Sequence, residues 1–206
     1  MKLKLFTTFT IMAALASSCA HNSAETTTTN HADCSKAVIE NIMTRKSVRQ
    51  FTSQPVSKDT LEIILKAGMA APSAMNKQPW AFVVLDERAA LDSLNAVHPY
   101  ANLKTATAAI IVCGDMEKTI EGPAREYWVQ DCSAVSENIL LAAHGLGLGA
   151  VWCGVYPMEE RIKDVSEVLS LPANIIPLNI ITMGYPAVNP DVKDKWNPEV
   201  IHWQKW

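Results

Sequence analysis

One long segment, residues 125–146, constrains the fold more than any other part of the chain. Apolar residues recur along it at helical spacing, and the faces outside that stripe are nearly as apolar as the stripe itself. The stripe consists of Cys132, Val135, Ile139, Ala142, Ala143 and Leu146. A helix with this pattern is buried on several sides. The segment therefore predicts a central helix around which the other elements pack.

Short apolar runs predict the strands. WAFVVLD at residues 80–86 and TAAIIVCGD at residues 107–115 are continuous and contain β-branched residues, which is typical of buried strands. GLGAVWCGVYP at residues 147–157 predicts a glycine-punctuated strand and turn, and IIPLNIITMGYP at residues 175–186 predicts a last core strand. Strands interleaved with long helical stretches favour an α/β or α+β sandwich around one sheet.

Further helices are predicted on either side of these strands. The segment from Ser35 to Arg45 places its apolar residues on one face. Ser57 is a predicted N-cap for a helix over residues 58–71. Residues 157–171 begin with a proline and acidic residues, which suit the first turn of a helix. The polar stretch between the first two strands is predicted to be helical in part.

The chain has 206 residues, of which 49% are hydrophobic, and this is enough for one well-buried domain. Its formal net charge is −3, and its Lys and Arg residues form no long run. Proteins that hold nucleic acid usually present a strongly basic field. Nucleic acid is therefore not expected as a partner.

The N-terminus resembles a bacterial secretory signal. Lys2 and Lys4 precede an apolar span that is too short to cross a membrane comfortably, and small residues then lead to Cys19. We expect a signal peptide over residues 1–18, a flexible tether over residues 19–35 and one domain over residues 36–206. We expect lipidation of Cys19, which makes the protein an exported, membrane-anchored lipoprotein in the periplasm or at the cell surface. Ordinary signal cleavage and no processing are the alternatives.

The C-terminal tail, residues 187–206, is broken by prolines and carries three tryptophans. Too little chain surrounds these side chains for the tail to bury them on itself. Exposed apolar surface of this kind usually marks an interface. The tail is therefore predicted to lie on a second copy of the chain, which makes a homodimer.

No familiar catalytic motif is present. The sequence lacks GxSxG, HExxH and Walker motifs, and it has no GxGxxG that leads into a helix. GLGLGA at residues 145–150 ends a predicted helix and so indicates a C-cap. Three histidines without evident partners are predicted to be structural: His98, His144 and His202. No metal site and no side-chain nucleophile are predicted.

The cysteines show no spacing typical of a metal site. Cys113, Cys132 and Cys153 each lie among apolar residues, where a cysteine behaves as a small hydrophobe. We expect buried free thiols. Export would permit a disulfide, but the spacing does not require one.

Cations and amides are concentrated in three short stretches. RKSVR, residues 45–49, contributes cations near the start of the domain, and Lys193 and Lys195 are spaced to share one side of an extended tail. The turn APSAMNKQPW, residues 71–80, carries more hydrogen-bonding side chains than entry into a strand requires. Such a cluster is either a solvated face or an anion site, for which arginine supplies forked donors.

Four segments resemble the signature segments of the nitroreductase family, the FMN-dependent NAD(P)H oxidoreductases. They are RKSVRQF, APSAMNKQPWAFVVL, GLGAVWCGVYP and MGYPAVNPDVKDKW, in the family's order, and the resemblance covers residues 36–206. It implies an α+β sandwich with a central, mainly antiparallel sheet flanked by helices. It also implies an intertwined homodimer with exchanged C-terminal arms and two FMN sites, each built from both chains.

The resemblance assigns roles to particular residues. The first segment supplies the basic element for the flavin phosphate and pyrimidine edge, the second supplies a loop that approaches the flavin from the partner subunit, and the third runs along the isoalloxazine. A basic pair in the tail closes on the phosphate, although its second member is often arginine in the family. The implied FMN-binding residues are Arg45, Lys46, Ser47, Arg49, Pro72, Ser73, Asn76, Trp152, Cys153, Gly154, Val155, Lys193 and Lys195.

The chemistry implied by the resemblance belongs to the flavin, so no catalytic side chain is expected. NADH or NADPH would reduce it, and a nitroaromatic, a quinone or a similar small aromatic would accept the electrons. Tyr127 and Trp128 are candidates either for stacking this substrate or for ordinary packing. The alternatives are a flavin-dependent dehalogenase, a flavin-degrading relative, and a tethered lipoprotein that binds flavin without catalysis.

Overall fold

The computed structural model describes residues 31–206. The predicted signal peptide, the lipidation site Cys19 and most of the predicted tether lie outside the described residues. Within residues 31–206, no helix combines the length and apolar character needed to cross a bilayer.

The sheet has four strands in the order β1-β2-β4-β3, and every neighbouring pair is antiparallel. The strands are β1 (Trp80–Leu85), β2 (Ala108–Asp115), β3 (Gly149–Gly154) and β4 (Ile175–Gly184). All four lie within the predicted apolar runs. Because β3 is an edge strand, one of its sides is free to contact something other than the sheet.

Within residues 31–206, five α-helices accompany these strands: α1 (His31–Thr44), α2 (Lys58–Met69), α3 (Arg88–Val97), α4 (Tyr127–Gly145) and α5 (Glu159–Val168). The predicted N-cap is confirmed, because the Ser57 side chain accepts a hydrogen bond of 3.2 Å from the Thr60 N–H. Helix α1 begins at His31, so it includes residues 31–35 of the predicted tether. Asp33 lies in its first turn, where a negative charge interacts favourably with the helix dipole and stabilises the helix.

Helix α4 is the central helix that its apolar pattern predicts. It packs with α2 on one face of the sheet, where Gly68 lies so close to Ile139 that an added Cβ would be 2.8 Å from that side chain. The other face is covered by α3 and α5. Neighbouring residues of one strand alternate between the two layers, since Ile110 belongs to the α4 layer and Ile111 to the α3 layer.

Three cysteines are buried free thiols, as predicted: Cys113, Cys132 and Cys153. Burial raises the pKa of the Cys113 and Cys132 thiols to about 12. These two side chains are therefore protonated packing groups rather than reactive thiolates.

The C-terminal arm, residues 187–206, leaves its large apolar side chains exposed. Trp203 is 79% exposed and Trp206 is fully exposed. A second uncovered apolar surface lies on helix α1 and is formed by Val38, Ile39, Ile42 and Met43. The described chain therefore leaves two apolar surfaces without a cover, as predicted for the tail.

Candidate functional site

A large cavity of about 810 Å³ lies between the end of α1 and the C-terminal arm. It brings together the two groups of cations from opposite ends of the sequence. Five cations and one hydroxyl from the predicted set line it: Arg45, Lys46, Ser47, Arg49, Lys193 and Lys195. Only two carboxylates, Asp191 and Asp194, line the same cavity, so its wall is positive overall. Its volume falls in the range typical of ligand pockets.

The basic segment is fixed along the edge of the sheet. The Val48 N–H donates to the Ala150 carbonyl at 3.0 Å, and Ser47 forms a parallel bridge with Ala150. Val48 is buried against Gly149, where an added Cβ would come within 2.7 Å of its side chain. The glycine is thus required by the close approach of the basic segment to β3.

Beyond Ala150, the free edge of β3 presents main-chain groups to the site. The Ala150 carbonyl accepts from Val48, and the Gly154 carbonyl accepts from Arg161 Nη1 at 3.2 Å, so both carbonyls point away from β4. Trp152 has the same parity in the antiparallel ladder, and its peptide groups therefore face the same edge. This segment can bind a planar ligand through its backbone, as the sequence resemblance implies.

A smaller cavity of about 150 Å³ continues the site along β3. It shares Arg49 with the large cavity and includes Trp152, Cys153 and Gly154 of the predicted set. Burial raises the pKa of the Cys153 thiol. That side chain is therefore a packing group, and contacts to a ligand fall to the main chain here.

This smaller cavity also contains residues that the sequence analysis did not assign to the site: His98, Tyr100, Asn102 and Arg161. His98 is buried, and its Nε2 lies 3.2 Å from the Gly154 carbonyl. Because a carbonyl only accepts, Nε2 carries the proton of that bond. A usable signal did exist, since residues 98–102 form a polar turn shortly before a buried strand, as residues 71–78 do.

The loop of residues 72–78 lies apart from both cavities. Its short 3₁₀ helix is attached to α4 by a hydrogen bond of 2.8 Å from the Ala74 N–H to Asp131 Oδ1. Ser73 Oγ accepts from the Gln78 N–H at 3.0 Å, and Gln78 Nε2 donates to Asn76 Oδ1 at 2.9 Å. Within one chain, therefore, Pro72, Ser73 and Asn76 are not brought to the other predicted site residues.

The two aromatic candidates at the start of α4 differ in exposure. Trp128 is 3% exposed, packs edge to face on Tyr156 with ring centroids 4.9 Å apart, and belongs to the core. Its burial leaves no ring face for a substrate, which places it among the packing residues. Tyr127 is exposed and lines a third cavity of about 350 Å³ with Glu126 and Gln130.

The fold and these cavities define a class of protein: an α+β domain whose sheet edge carries a positive cleft large enough for a nucleotide cofactor. The chain matches the model described as "Nitroreductase family" over residues 42–100 and 95–185. It belongs to the nitroreductase family.

Relatives and solved structures agree with this assignment. A protein of Methanothermobacter thermautotrophicus, named as an NADH dehydrogenase or NAD(P)H nitroreductase, is 48% identical over 82% of this chain and 87% of its own length. A similarly named structure from Bacteroides thetaiotaomicron has a TM-score of 0.77 and 46% identity, covering 82% of this chain and 98% of that one.

A nitroreductase from Desulfovibrio desulfuricans, solved in complex with FMN, has a TM-score of 0.70 and 32% identity. It covers 82% of this chain and 97% of its own. These similarities confirm the α+β nitroreductase fold and the oxidoreductase class that the sequence segments imply.

Proposed function

We propose that this flavin-dependent NAD(P)H oxidoreductase is a homodimer that reduces nitroaromatic, quinone or similar small aromatic acceptors. The observation that carries the proposal is the junction of a positive cavity with the free main-chain edge of β3. This combination suits a ligand that has an anionic group at one end and a flat ring system at the other. FMN has both.

The residues present fit FMN at its phosphate and at its ring system. The phosphate would be held by the cations of the large cavity, with Arg45, Lys193 and Lys195 as the principal donors. The ring system would lie along residues 152–154, with Arg49 at its pyrimidine edge. Val155, also in the predicted set, is fully buried and its N–H donates to the Leu178 carbonyl, so it does not face this edge. Lys195 gives a single point charge where the family often has arginine, so bidentate pairing is lost at that position.

Bound FMN would supply the hydride and electron transfer chemistry. The protein would supply orientation and electrostatics through Arg49, the peptide groups of Trp152 and the Gly154 N–H, since the Gly154 carbonyl already accepts from Arg161 and His98. Arg49, which lines both the large cavity and the cavity along β3, would stabilise negative charge at the pyrimidine edge. Among the described residues, Cys113, Cys132 and Cys153 are buried thiols, and no described thiol is needed as a nucleophile.

A second copy of the chain would complete each site. Pro72, Ser73 and Asn76 line none of the three cavities described for their own chain, which supports their approach to the cofactor of the other chain. The exposed tryptophans of the C-terminal arm and the apolar face of α1 supply surface for the exchange of arms. The site is therefore proposed to be incomplete in a monomer.

The acceptor would bind over the flavin at an open mouth. Only residues 116–126 separate β2 from α4, so the chain has a short segment where a lid could form. Tyr127 is exposed beside this segment and is the candidate for stacking an aromatic acceptor. A short lid supports broad acceptance of small aromatic compounds.

Anaerobic reduction of the FMN-loaded protein tests this function. NADH or NADPH should bleach the flavin absorbance, and addition of a nitroaromatic or a quinone should restore it. A tethered flavin-binding protein without catalysis would show the same initial yellow spectrum but no bleaching. If neither nicotinamide reduces the bound flavin, the oxidoreductase assignment for this chain is contradicted.

Export and lipidation form a separate proposal, supported by the signal-like sequence of residues 1–18 and by Cys19. An anchored protein outside the cytoplasm would need an electron source there. Mass spectrometry of the mature N-terminus tests the proposal. A diacylglycerol group on Cys19 would support anchoring, whereas an intact Met1 would contradict export.

A further inference from the structure

One face of α4 contacts the segment that leads into the positive cavity. Glu137 Oε1 lies 3.1 Å from Arg45 Nε, and the Leu141 carbonyl accepts from Asn41 Nδ2 at 3.1 Å. His144 Nε2 lies 3.0 Å from Thr44 Oγ1. The three α4 positions are spaced by four and three residues, so they share one helical face. This face, Glu137, Leu141 and His144, is called the docking stripe below.

The direction of the Thr44 bond follows from its second contact. The Thr44 hydroxyl lies 2.6 Å from the Glu40 carbonyl, which can only accept. The single hydroxyl proton is therefore used there, and His144 Nε2–H donates to Thr44 Oγ1. The docking stripe thus holds the end of α1 through one donor, His144, and two acceptors, Glu137 and the Leu141 carbonyl.

Arg45 is the only member of this contact that lines the large cavity. Among the side-chain N–H groups of Arg45, only Nε–H is hydrogen-bonded to another residue within residues 31–206. The guanidinium is planar, so fixing Nε restricts the orientation of the whole group. The two terminal nitrogens are left for a ligand. The Arg45 side chain is 19% exposed, which reduces its freedom further.

We propose that Glu137 is a positioning residue for cofactor binding. By holding Arg45 Nε, it orients the two terminal nitrogens of the guanidinium for a phosphate group. This inference rests on the proposed function, because the phosphate is that of FMN. Glu137 is half-exposed and does not line the cavity, so it acts through Arg45 and not by contact with the ligand.

The charge of Glu137 has an effect opposite to its hydrogen bond. A carboxylate beside an anion site disfavours the anion, whereas an oriented arginine favours it. Two substitutions separate these effects. Glu137→Gln keeps a side-chain oxygen that can accept from Arg45 Nε but removes the charge. Glu137→Ala removes both.

The test measures the Kd for FMN by quenching of flavin fluorescence, with thermal unfolding of the apoprotein as a check on folding. A positioning role predicts that Glu137→Ala weakens FMN binding about tenfold, the scale of one charge-assisted hydrogen bond, while Glu137→Gln binds as well as the wild type or better. Equal or tighter binding by both variants would overturn the proposal, because only the charge effect would then remain.

A double-mutant cycle with Arg45→Ala shows whether Glu137 acts through Arg45. The Glu137→Ala effect should disappear in the Arg45→Ala background, and an undiminished effect would overturn the proposal. Riboflavin, which lacks the phosphate, is a matched probe whose Kd should not respond to Glu137→Ala. If wild-type protein binds no FMN at all, the proposed function is contradicted. If wild-type protein binds FMN normally and Glu137→Ala does not change the Kd, only the positioning role is contradicted.

Discussion

Arg49 lines the large cavity and the smaller cavity along β3, and it is exposed in the described chain, so it can adjust to a ligand without loss of core packing. We expect Arg49→Ala to lower the reduction potential of bound FMN. Expressed as free energy, this change should be larger than the accompanying loss of FMN binding. A shift of about 30 mV would correspond to a tenfold change in the two-electron equilibrium. Redox titration of the loaded protein measures it, with Arg49→Lys as a control that keeps the charge. An unchanged potential would remove Arg49 from the pyrimidine edge.

His144 shows how the same basic segment affects a titrating group. Its pKa lies below the usual value, first because it is partly buried and then because of Lys46 and Arg45. Since its pKa is lowered by folding, the unfolded chain binds more protons when the pH falls to about 6.5 and below. The free energy of unfolding therefore contains a favourable contribution from neutral His144 at pH values above that range. This contribution is lost as the pH decreases and the unfolded chain takes up the proton more readily than the folded chain.

The corresponding variant is His144→Gln, which retains a donor for Thr44 but does not titrate. Its free energy of unfolding should decrease less than that of the wild type between pH 7.5 and pH 5.5, as measured by urea unfolding of the apoprotein. Identical pH dependence in the two proteins would show that His144 makes no contribution in this range.

At the scale of elements, the loop of residues 72–78 depends on α4 for its position. Asp131 is buried and accepts the Ala74 N–H, and three residues of the loop, Met75, Asn76 and Gln78, have positive φ. We expect Asp131→Ala to lower the free energy of unfolding by about 1–3 kcal/mol, because the Ala74 N–H would lose its partner. Hydrogen exchange at Ala74 should accelerate as well.

The neighbouring Gln130→Ala is the control for this prediction, because Gln130 is exposed on the same helix. It should leave both the stability and the exchange rate close to those of the wild type. If Asp131→Ala also leaves the Ala74 exchange rate unchanged, the loop is held by other contacts.

The sequence was sufficient for the elements but only partly sufficient for the site. Apolar runs are local signals, so the four strands and the central helix could be placed from them. Glu137, by contrast, acts through a partner 92 positions away, and no local pattern indicates that contact. Trp128 could not be assigned for a different reason: its position next to a possible lid is compatible with a ring that faces either solvent or the core. Its packing against Tyr156 in the structure shows that the ring belongs to the core.

At the scale of the whole molecule, a homodimer would explain both the uncovered surfaces and the proposed division of the site between two chains. Val38 and Ile39 of α1 are 58% and 57% exposed, and the arm presents three exposed tryptophans. The loop of residues 72–78 also lines none of the three cavities described for its own chain. A second copy would bury the apolar surfaces and bring that loop to the cofactor, so dimerisation and FMN binding are expected to be coupled.

The double substitution Val38→Glu and Ile39→Glu tests this coupling. Both side chains are exposed in the described chain, so the monomer should keep its fold, whereas an apolar dimer interface would acquire two buried charges per chain. Light scattering after size exclusion should show a shift from dimer to monomer mass, and FMN content should decrease in parallel. Met158→Glu, an exposed apolar position before α5, is the matched control and should change neither. A double variant that remains dimeric and binds FMN normally would mean that α1 lies outside the interface; a monomer that binds FMN normally would mean that each site is complete within one chain.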